Sequence, residues 1–336
     1  MSQLAGEAAD SASQLVGRTV KVRVPATSAN LGPGYDSAGI ALALYDDLEA
    51  TILDTNELVI EVEGAGSDTL PRDGSHLVVR ALARGLAESG IQTEGLHLKC
   101  TNRIPQGRGL GSSSAAIVGG LALARELLRQ VGQDLTDQRL LELANDLEGH
   151  PDNVAPAIFG GFTIAWQQSV TDPAGEPTGE TMVDVYVHSV HPDIRPVLVI
   201  PNGDLSTERA RELMPAKVPL ADAAENAASA SLLSVALISN PELLLVGTSD
   251  RIHQYYRRFA YPDSYGLMRS LRKVGIPAAI SGAGPSVIVF GVTGAEFDDE
   301  ALCPVIVEHV EGLEVEQRTE FDVTPIAIDV EGVKSL

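Results

Sequence analysis

A short stretch of alternating apolar residues at 96–101 leads directly into NRIPQGRGLGSSSAA, and an Ala- and Leu-rich stretch over residues 113–130 follows at once. This order predicts a strand, a loop and a helix in immediate succession. Gly107, Gly109 and Gly111 let backbone N–H groups come close to a ligand. A helix starting near Ser112 or Ser113 adds unpaired donors and a dipole that favours anions, so phosphate is the natural occupant. Taken alone, the segment reads equally well as a tight strand-to-helix connection with a serine cap. Three common phosphate motifs are excluded. The loop contains no lysine for a Walker sequence, and Gly107-x-Gly109-x-x-Ser112 matches a dinucleotide fingerprint only in part. The Val-Ala-Ile-Lys and Asp-Phe-Gly strings of protein kinases are absent.

The chain around this loop mixes strands and helices without strict alternation. Val20, Val22 and Val24 alternate with polar residues over 19–25, the pattern of a strand, and run into TSANLGPGYDSAG, which breaks both regular patterns. Strands of an antiparallel sheet are expected at 40–44 and 49–62. A helix is expected at 75–89 with Ser75 as its cap, and another at 136–147 with Leu140, Leu143, Ala144 and Leu147 on one face and Glu142 off it. Further strands are predicted at 162–168 and 183–190, joined by an exposed loop at 171–181. A buried strand follows at 196–201, then several helices between 206 and 274. The chain closes with strands at 278–281 and 286–292, a helix at 301–310 and a strand at 313–321. The expected class is therefore α+β. A length of 336 residues favours two domains, set at 19–175 and 176–336 behind a flexible N-terminal extension of 1–18.

Composition narrows the partners. With 44% hydrophobic and 21% charged residues and no apolar run of membrane-spanning length, the chain is expected to be soluble, with no membrane partner. Residues 1–18 lack the basic start and apolar block of a signal peptide, and Cys100 and Cys303 stand far apart without metal-ligand spacing, so a cytoplasmic location is expected. A net charge of −22 argues against a nucleic-acid partner. A polyanionic ligand would then need local positive potential from backbone N–H groups, a metal ion and a few placed arginines.

Pro105, Gly109, Leu110, Gly111, Ser112 and Ser113 fit, position by position, the Pro-x-x-x-Gly-Leu-Gly-Ser-Ser-Ala motif of the galactokinase, homoserine, mevalonate and phosphomevalonate (GHMP) kinase superfamily. The resemblance covers nearly the whole chain after residue 19. Val24 to Gly34 resembles the superfamily's first motif, and Ala279-Ile-Ser-Gly-Ala-Gly-Pro-Ser286 its third. Within the superfamily, Pro25-Ala-Thr-Ser-Ala-Asn-Leu-Gly-Pro-Gly-Tyr-Asp36 and Glu148-Gly-His-Pro-Asp-Asn-Val-Ala-Pro-Ala-Ile-Phe-Gly-Gly161 resemble the signatures of homoserine kinases. Leu205-Ser-Thr207-x-x-x-Arg211 agrees with them. Gln254-Tyr255-Tyr256-Arg257 departs from that family's Glu-Pro-Tyr-Arg, and Pro25-Ala26-Thr27 stands where mevalonate-type members carry Pro-Gly-Lys.

The resemblance implies a two-domain fold, with an N-terminal ribosomal-protein-S5-domain-2-like part that binds ATP and a C-terminal ferredoxin-like part. It also implies transfer of the ATP γ-phosphoryl group to the hydroxyl of L-homoserine in threonine biosynthesis, with homodimers common in the family. The ATP loop would be Pro105, Gln106, Gly107, Arg108, Gly109, Leu110, Gly111, Ser112, Ser113, Ser114 and Ala115. Mg²⁺ would be held by Ser112 and Glu142, although by residue pattern alone Glu142 is an ordinary exposed helix position. Homoserine would meet Asn30, Asp36, His150, Thr207, Arg211 and Arg257, and Asp152, Asn153 and Arg211 would serve the transfer. The bland readings stand beside these: Asp152 and Asn153 as caps of a short apolar helix, and each arginine as a surface ion pair. Two rival functions also stand, another superfamily kinase or a nucleotide-binding homologue without turnover.

Overall fold

The structure, a computed structural model, describes residues 11–172, 175–203, 205, 207–294, 299–313 and 319–336. Two sheets organise it. In the first, the order is β11 (Lys334–Ser335), β1 (Thr19–Ala29), β2 (Ala38–Leu53), β4 (Gly95–Asn102) and β3 (Leu58–Gly64). β2 is 16 residues long and, besides β1, serves two neighbours. Its Asp47–Leu53 end pairs with β4, and its Ala38–Ile40 end pairs with β5 (Phe162–Thr171), which forms a hairpin with β6 (Pro177–His188). A register shift between Pro25 and Ala26 in β1 gives the proline, which has no N–H, a place where the ladder is already interrupted. β3 pairs parallel to β4, so the sheet is mixed and not purely antiparallel as the alternation suggested.

Helices α2 (Leu77–Ala87), α3 (Ser112–Arg129), α4 (Asp137–Glu148) and α5 (Pro151–Phe159) pack with this sheet. Thr136 caps α4 by accepting the Arg139 N–H, as a short polar side chain should. Ser75 does not cap α2. The helix starts one residue later than expected, behind His76, and Ser75 is held by Asp73. The expected extension is ordered where it is described. Residues 11–15 form a helix, α1, whose Leu15 is fully buried, and Gly17 N–H donates to Ile52 O at 2.8 Å; residues 1–10 lie outside the described part.

The second sheet has the antiparallel order β10 (Phe321–Pro325), β7 (Ile194–Pro201), β9 (Val287–Val292), β8 (Ala278–Ile280). The last strand expected at 313–321 therefore lies further along, and 314–318 lie outside the described residues. Helices α10 (Pro262–Lys273) and α11 (Asp299–Glu311) cover one face, where Val197, Val199, Val287 and Val289 meet Leu267, Leu271, Leu302 and Ile306. The alternate residues Leu198, Ile288 and Phe290 point the other way and join the core of the first sheet. A period of two thus splits each strand between two cores and fixes the lobes against each other.

The expected boundary at 175 falls inside the β5–β6 hairpin, because β6 completes the first sheet, and the lobes divide between His188 and Ile194. The expected loop at 171–181 is likewise shorter, since β6 begins at Pro177. The chain end returns to the first lobe, where Ile328 bridges to Leu42 and β11 pairs with β1. No helix among the described residues is long and apolar enough to cross a membrane.

Candidate active site

The three glycine-bearing segments meet between the lobes. Thr27 N–H donates to Leu110 O (3.1 Å) and Gly282 N–H to Ala29 O (3.0 Å), while Ser281 Oγ donates to Gly109 O (2.6 Å). Gly107, Gly109 and Gly111 all adopt positive φ. At Gly111 the space is closed as well, since a Cβ would lie 1.9 Å from Thr27 Oγ1, and at Gly109 one would lie 2.2 Å from Ser281 O. These contacts press the loop so close to its neighbours that only glycine fits. Gly111 is the left-handed N-cap of α3 and no side chain caps the helix, so its first-turn N–H groups remain available to an anion at the cleft.

The resulting cleft has a volume of about 230 Å³ and a concentrated polar lining. Gln106, Gly107, Gly109, Gly111, Ser112, Ser113 and Ser114 line one side. Of the other expected loop residues, Leu110 and Ala115 are buried in the core, and Pro105 does not reach the cleft. Arg108 turns away to donate to Asn202 O at 2.5 Å. Glu142 is not at the cleft. Its carboxylate is paired with Arg139 at 2.6 Å on the exposed side of α4. The carboxylate beside the loop is Glu148, at the end of the same helix, whose Oε1 accepts from Ser113 Oγ (2.8 Å) and Ser114 Oγ (2.9 Å).

The opposite side gathers Asn30, Asp36, His150, Asp152, Asn153, Arg211 and Arg257. Asn30, Leu31 and Asp36 have left-handed backbones, and Leu31 is fully buried, a strained arrangement held by its surroundings. The Asn30 amide holds the loop together. Its Nδ2 donates to Gly282 O (2.9 Å) and its Oδ1 accepts from Asp36 N–H (3.0 Å), so its side chain positions Asp36. Asp152, only 2% exposed, accepts from His150 Nδ1 at 2.5 Å and from Asn153 Nδ2 at 3.4 Å. Burial disfavours the His150 imidazolium, but the adjacent Asp152 carboxylate outweighs it and the His150 pKa is raised. Asn153 Oδ1 accepts from Thr27 Oγ1 (2.8 Å), which binds the first motif to α5 at the position where a lysine is missing.

Arg211, from α6 (Thr207–Glu212), pairs with Asp36 at 2.7 Å. Arg257, from α9 (Gln254–Arg257), is 2% exposed and donates to Ala210 O, Tyr35 Oη and, at 3.5 Å, His253 Nδ1. Among the described residues no carboxylate lies within ion-pair distance of it. Asp36, His150 and Asp152 bring ligand-capable atoms within 4.8 Å of one another. Thr207 opens α6, and its side chain lies outside the described part. Glu148, which the sequence reading leaves out of the site, lines the cleft, and Tyr35 lies against both arginines. Glu148 stood inside a recognised string, but nothing in the order of residues says which turn of α4 faces the loop.

A second hollow of about 110 Å³ adjoins the cleft and shares Gln106, Ser112 and Ser113 with it. Leu48, Leu70, Leu77, Val78, Ala115 and Ala116 make it largely apolar. His76, 3% exposed, has no hydrogen-bond partner at either ring nitrogen among the described residues.

Residues 76–161 match the model described as the GHMP kinases N terminal domain. The homoserine kinase of Streptomyces coelicolor is 48% identical over 285 residues, covering 84% of this chain and 88% of that protein. That of Clavibacter michiganensis is 48% identical over 275 residues, 82% and 83% of the two chains. The crystal structure of homoserine kinase from Cytophaga hutchinsonii has the same fold, with a TM-score of 0.78 over 95% of this chain and 97% of that one at 24% identity. With a glycine loop, a polar cleft and this extent of identity in agreement, the chain belongs to the homoserine kinase family.

Proposed function

We propose that the chain transfers the γ-phosphoryl group of ATP to the side-chain hydroxyl of L-homoserine, giving O-phospho-L-homoserine and ADP. One observation carries this reading: a buried guanidinium with no carboxylate partner among the described residues, Arg257, lies in the same cleft as an open helix N-terminus. The first calls for a carboxylate and the second for phosphate. Homoserine's carboxylate would pair with Arg257 and Arg211, and its ammonium with Asp36 and Asp152. The Asp36–Arg211 pair is then replaced by two pairs with the zwitterion, which limits the desolvation cost of binding.

The ATP phosphates would lie along Gly107 to Ser114 with the nucleoside in the adjoining apolar hollow, where the unpaired His76 nitrogens offer the base hydrogen bonds. Ser112 and Glu148 fit Mg²⁺, since a hydroxyl and a carboxylate oxygen beside a phosphate loop form the hard donor set that this ion prefers. When bound, the ion neutralises charge on the β- and γ-phosphate oxygens. In the transfer, the homoserine hydroxyl oxygen bonds to the γ-phosphorus as the bond to the ADP oxygen breaks, and the hydroxyl proton passes to water. Asp152 already accepts from His150 and Asn153, which fix its carboxylate in place and suit it to orienting the hydroxyl. Positioning and charge neutralisation then supply most of the acceleration.

A coupled ADP-release assay over homoserine, mevalonate, shikimate and galactose tests the proposal. Turnover restricted to homoserine is expected. ATP binding without ADP release for any acceptor would overturn it.

A further inference from the structure

Tyr35 sits in the tight loop between Pro33-Gly34 and the left-handed Asp36, and its side chain lies where two helices deliver their arginines. Arg211 Nη1 and Arg257 Nη2 each donate to its Oη at 3.3 Å. Both guanidiniums also lie over its ring, 5.9 and 5.3 Å from the centroid. The ring also meets His253, with 5.3 Å between the ring centroids. His253 is fully buried, and its Nε2 donates to Gly32 O at 2.7 Å. Its Nδ1 is left as the acceptor that faces Arg257 Nη1. Burial lowers the His253 pKa and, with the Asp36 charge, raises that of Tyr35, so both groups are neutral between the charges around them.

Two cations placed close together repel each other, and among the described residues Arg257 has no carboxylate to hold it. A neutral phenol oxygen with two lone pairs is the atom that both can share, and the ring face adds attraction to each. We infer that Tyr35 is a positioning residue: its hydroxyl sets the spacing of the Arg211 and Arg257 guanidiniums so that one carboxylate of the acceptor meets both. This rests on the assignment of the two arginines to the carboxylate. Looser arginines would weaken recognition of that carboxylate and leave the nucleotide half of the cleft as it is.

The test uses the full chain with Tyr35→Phe, Arg257→Met and the double variant. It measures kcat and KM for homoserine and ATP, together with kcat/KM for 3-aminopropan-1-ol, which is homoserine without its carboxylate. Phe keeps the ring on His253, so thermal stability near that of the parent is expected. Tyr35→Phe should raise the homoserine KM by about tenfold. The ATP KM should stay within about twofold, and kcat/KM for 3-aminopropan-1-ol should not change. In the Arg257→Met background the same change should add little. An equal loss with 3-aminopropan-1-ol, or full additivity in the double variant, would overturn the inference. A silent Tyr35→Phe beside a damaging Arg257→Met would overturn it alone, whereas a silent Arg257→Met would remove the carboxylate assignment itself.

Discussion

Replacing Arg257 by Met separates what this residue does for the fold from what it does for the substrate. In the free protein its guanidinium is 2% exposed and donates only to neutral acceptors, Ala210 O at 3.1 Å, Tyr35 Oη at 3.3 Å and His253 Nδ1 at 3.5 Å. Bonds of that length contribute together about 2–3 kcal/mol at most. Against them stands the desolvation of a charge that no carboxylate offsets, several kcal/mol in a typical interior. The two nearly cancel, and Met fills similar volume, so the stability of the unliganded variant should differ from the parent by no more than about 1–2 kcal/mol in either direction. Substrate binding is not balanced in this way. A carboxylate that loses one charge-assisted partner should bind more weakly by about 1.5–3 kcal/mol, which raises the homoserine KM roughly 10- to 100-fold with the ATP KM nearly constant.

Thermal unfolding with and without homoserine provides an independent readout. At a concentration 100 times the parent's dissociation constant the parent gains about 2.7 kcal/mol, whereas a variant binding about 30-fold more weakly gains only about 0.9 kcal/mol. Loss of several kcal/mol of stability with an unchanged homoserine KM would refute the reasoning and make Arg257 a structural residue.

Three other outcomes are expected. Asp152→Asn should slow single-turnover transfer by roughly tenfold or less, because Asp152 orients; a fall of about 10²–10⁴ would identify an obligatory base. Glu148→Gln keeps an oxygen for Ser113 and Ser114 but should raise the Mg²⁺ concentration for half-maximal activity at least about tenfold, and an unchanged Mg²⁺ titration would exclude it as a ligand. Asp46 is buried and its pKa is pushed up to about 6 by that burial, so the folded state favours the protonated acid, and stability is lost as pH rises from about 4 through about 6. Asp46→Asn retains Oδ1 for the Arg103 and Ile104 N–H groups, and denaturant titrations should find it more stable by up to roughly 3 kcal/mol at pH 8 and level with the parent near pH 4.

Local pattern already determined much of this protein. The period of two in Val20, Val22 and Val24, the helical spacing of 113–130 and the positive-φ glycines between them are properties of a few neighbouring residues, and the structure has them where the sequence implies. The signature strings also brought most of the cleft residues into view, because Asn30 to Asp36 and His150 to Asn153 each stand in one continuous string that resembles the family's. Long-range pairing decided the rest. That β6 belongs to the first sheet and that 334–335 return to β1 depends on contacts between segments far apart in sequence.

The choice between Glu142 and Glu148 shows the same limit. Both lie on α4, on different faces, and periodicity does not say which face turns to the glycine loop. Packing of α4 against α3 makes that choice: it pairs Glu142 with Arg139 and brings Glu148 to Ser113 and Ser114. The glycine loop could be read from its own residues because its character lies in its own backbone, whereas the partners of Arg257 and the contacts of Tyr35 required side chains from separate elements to meet at one point.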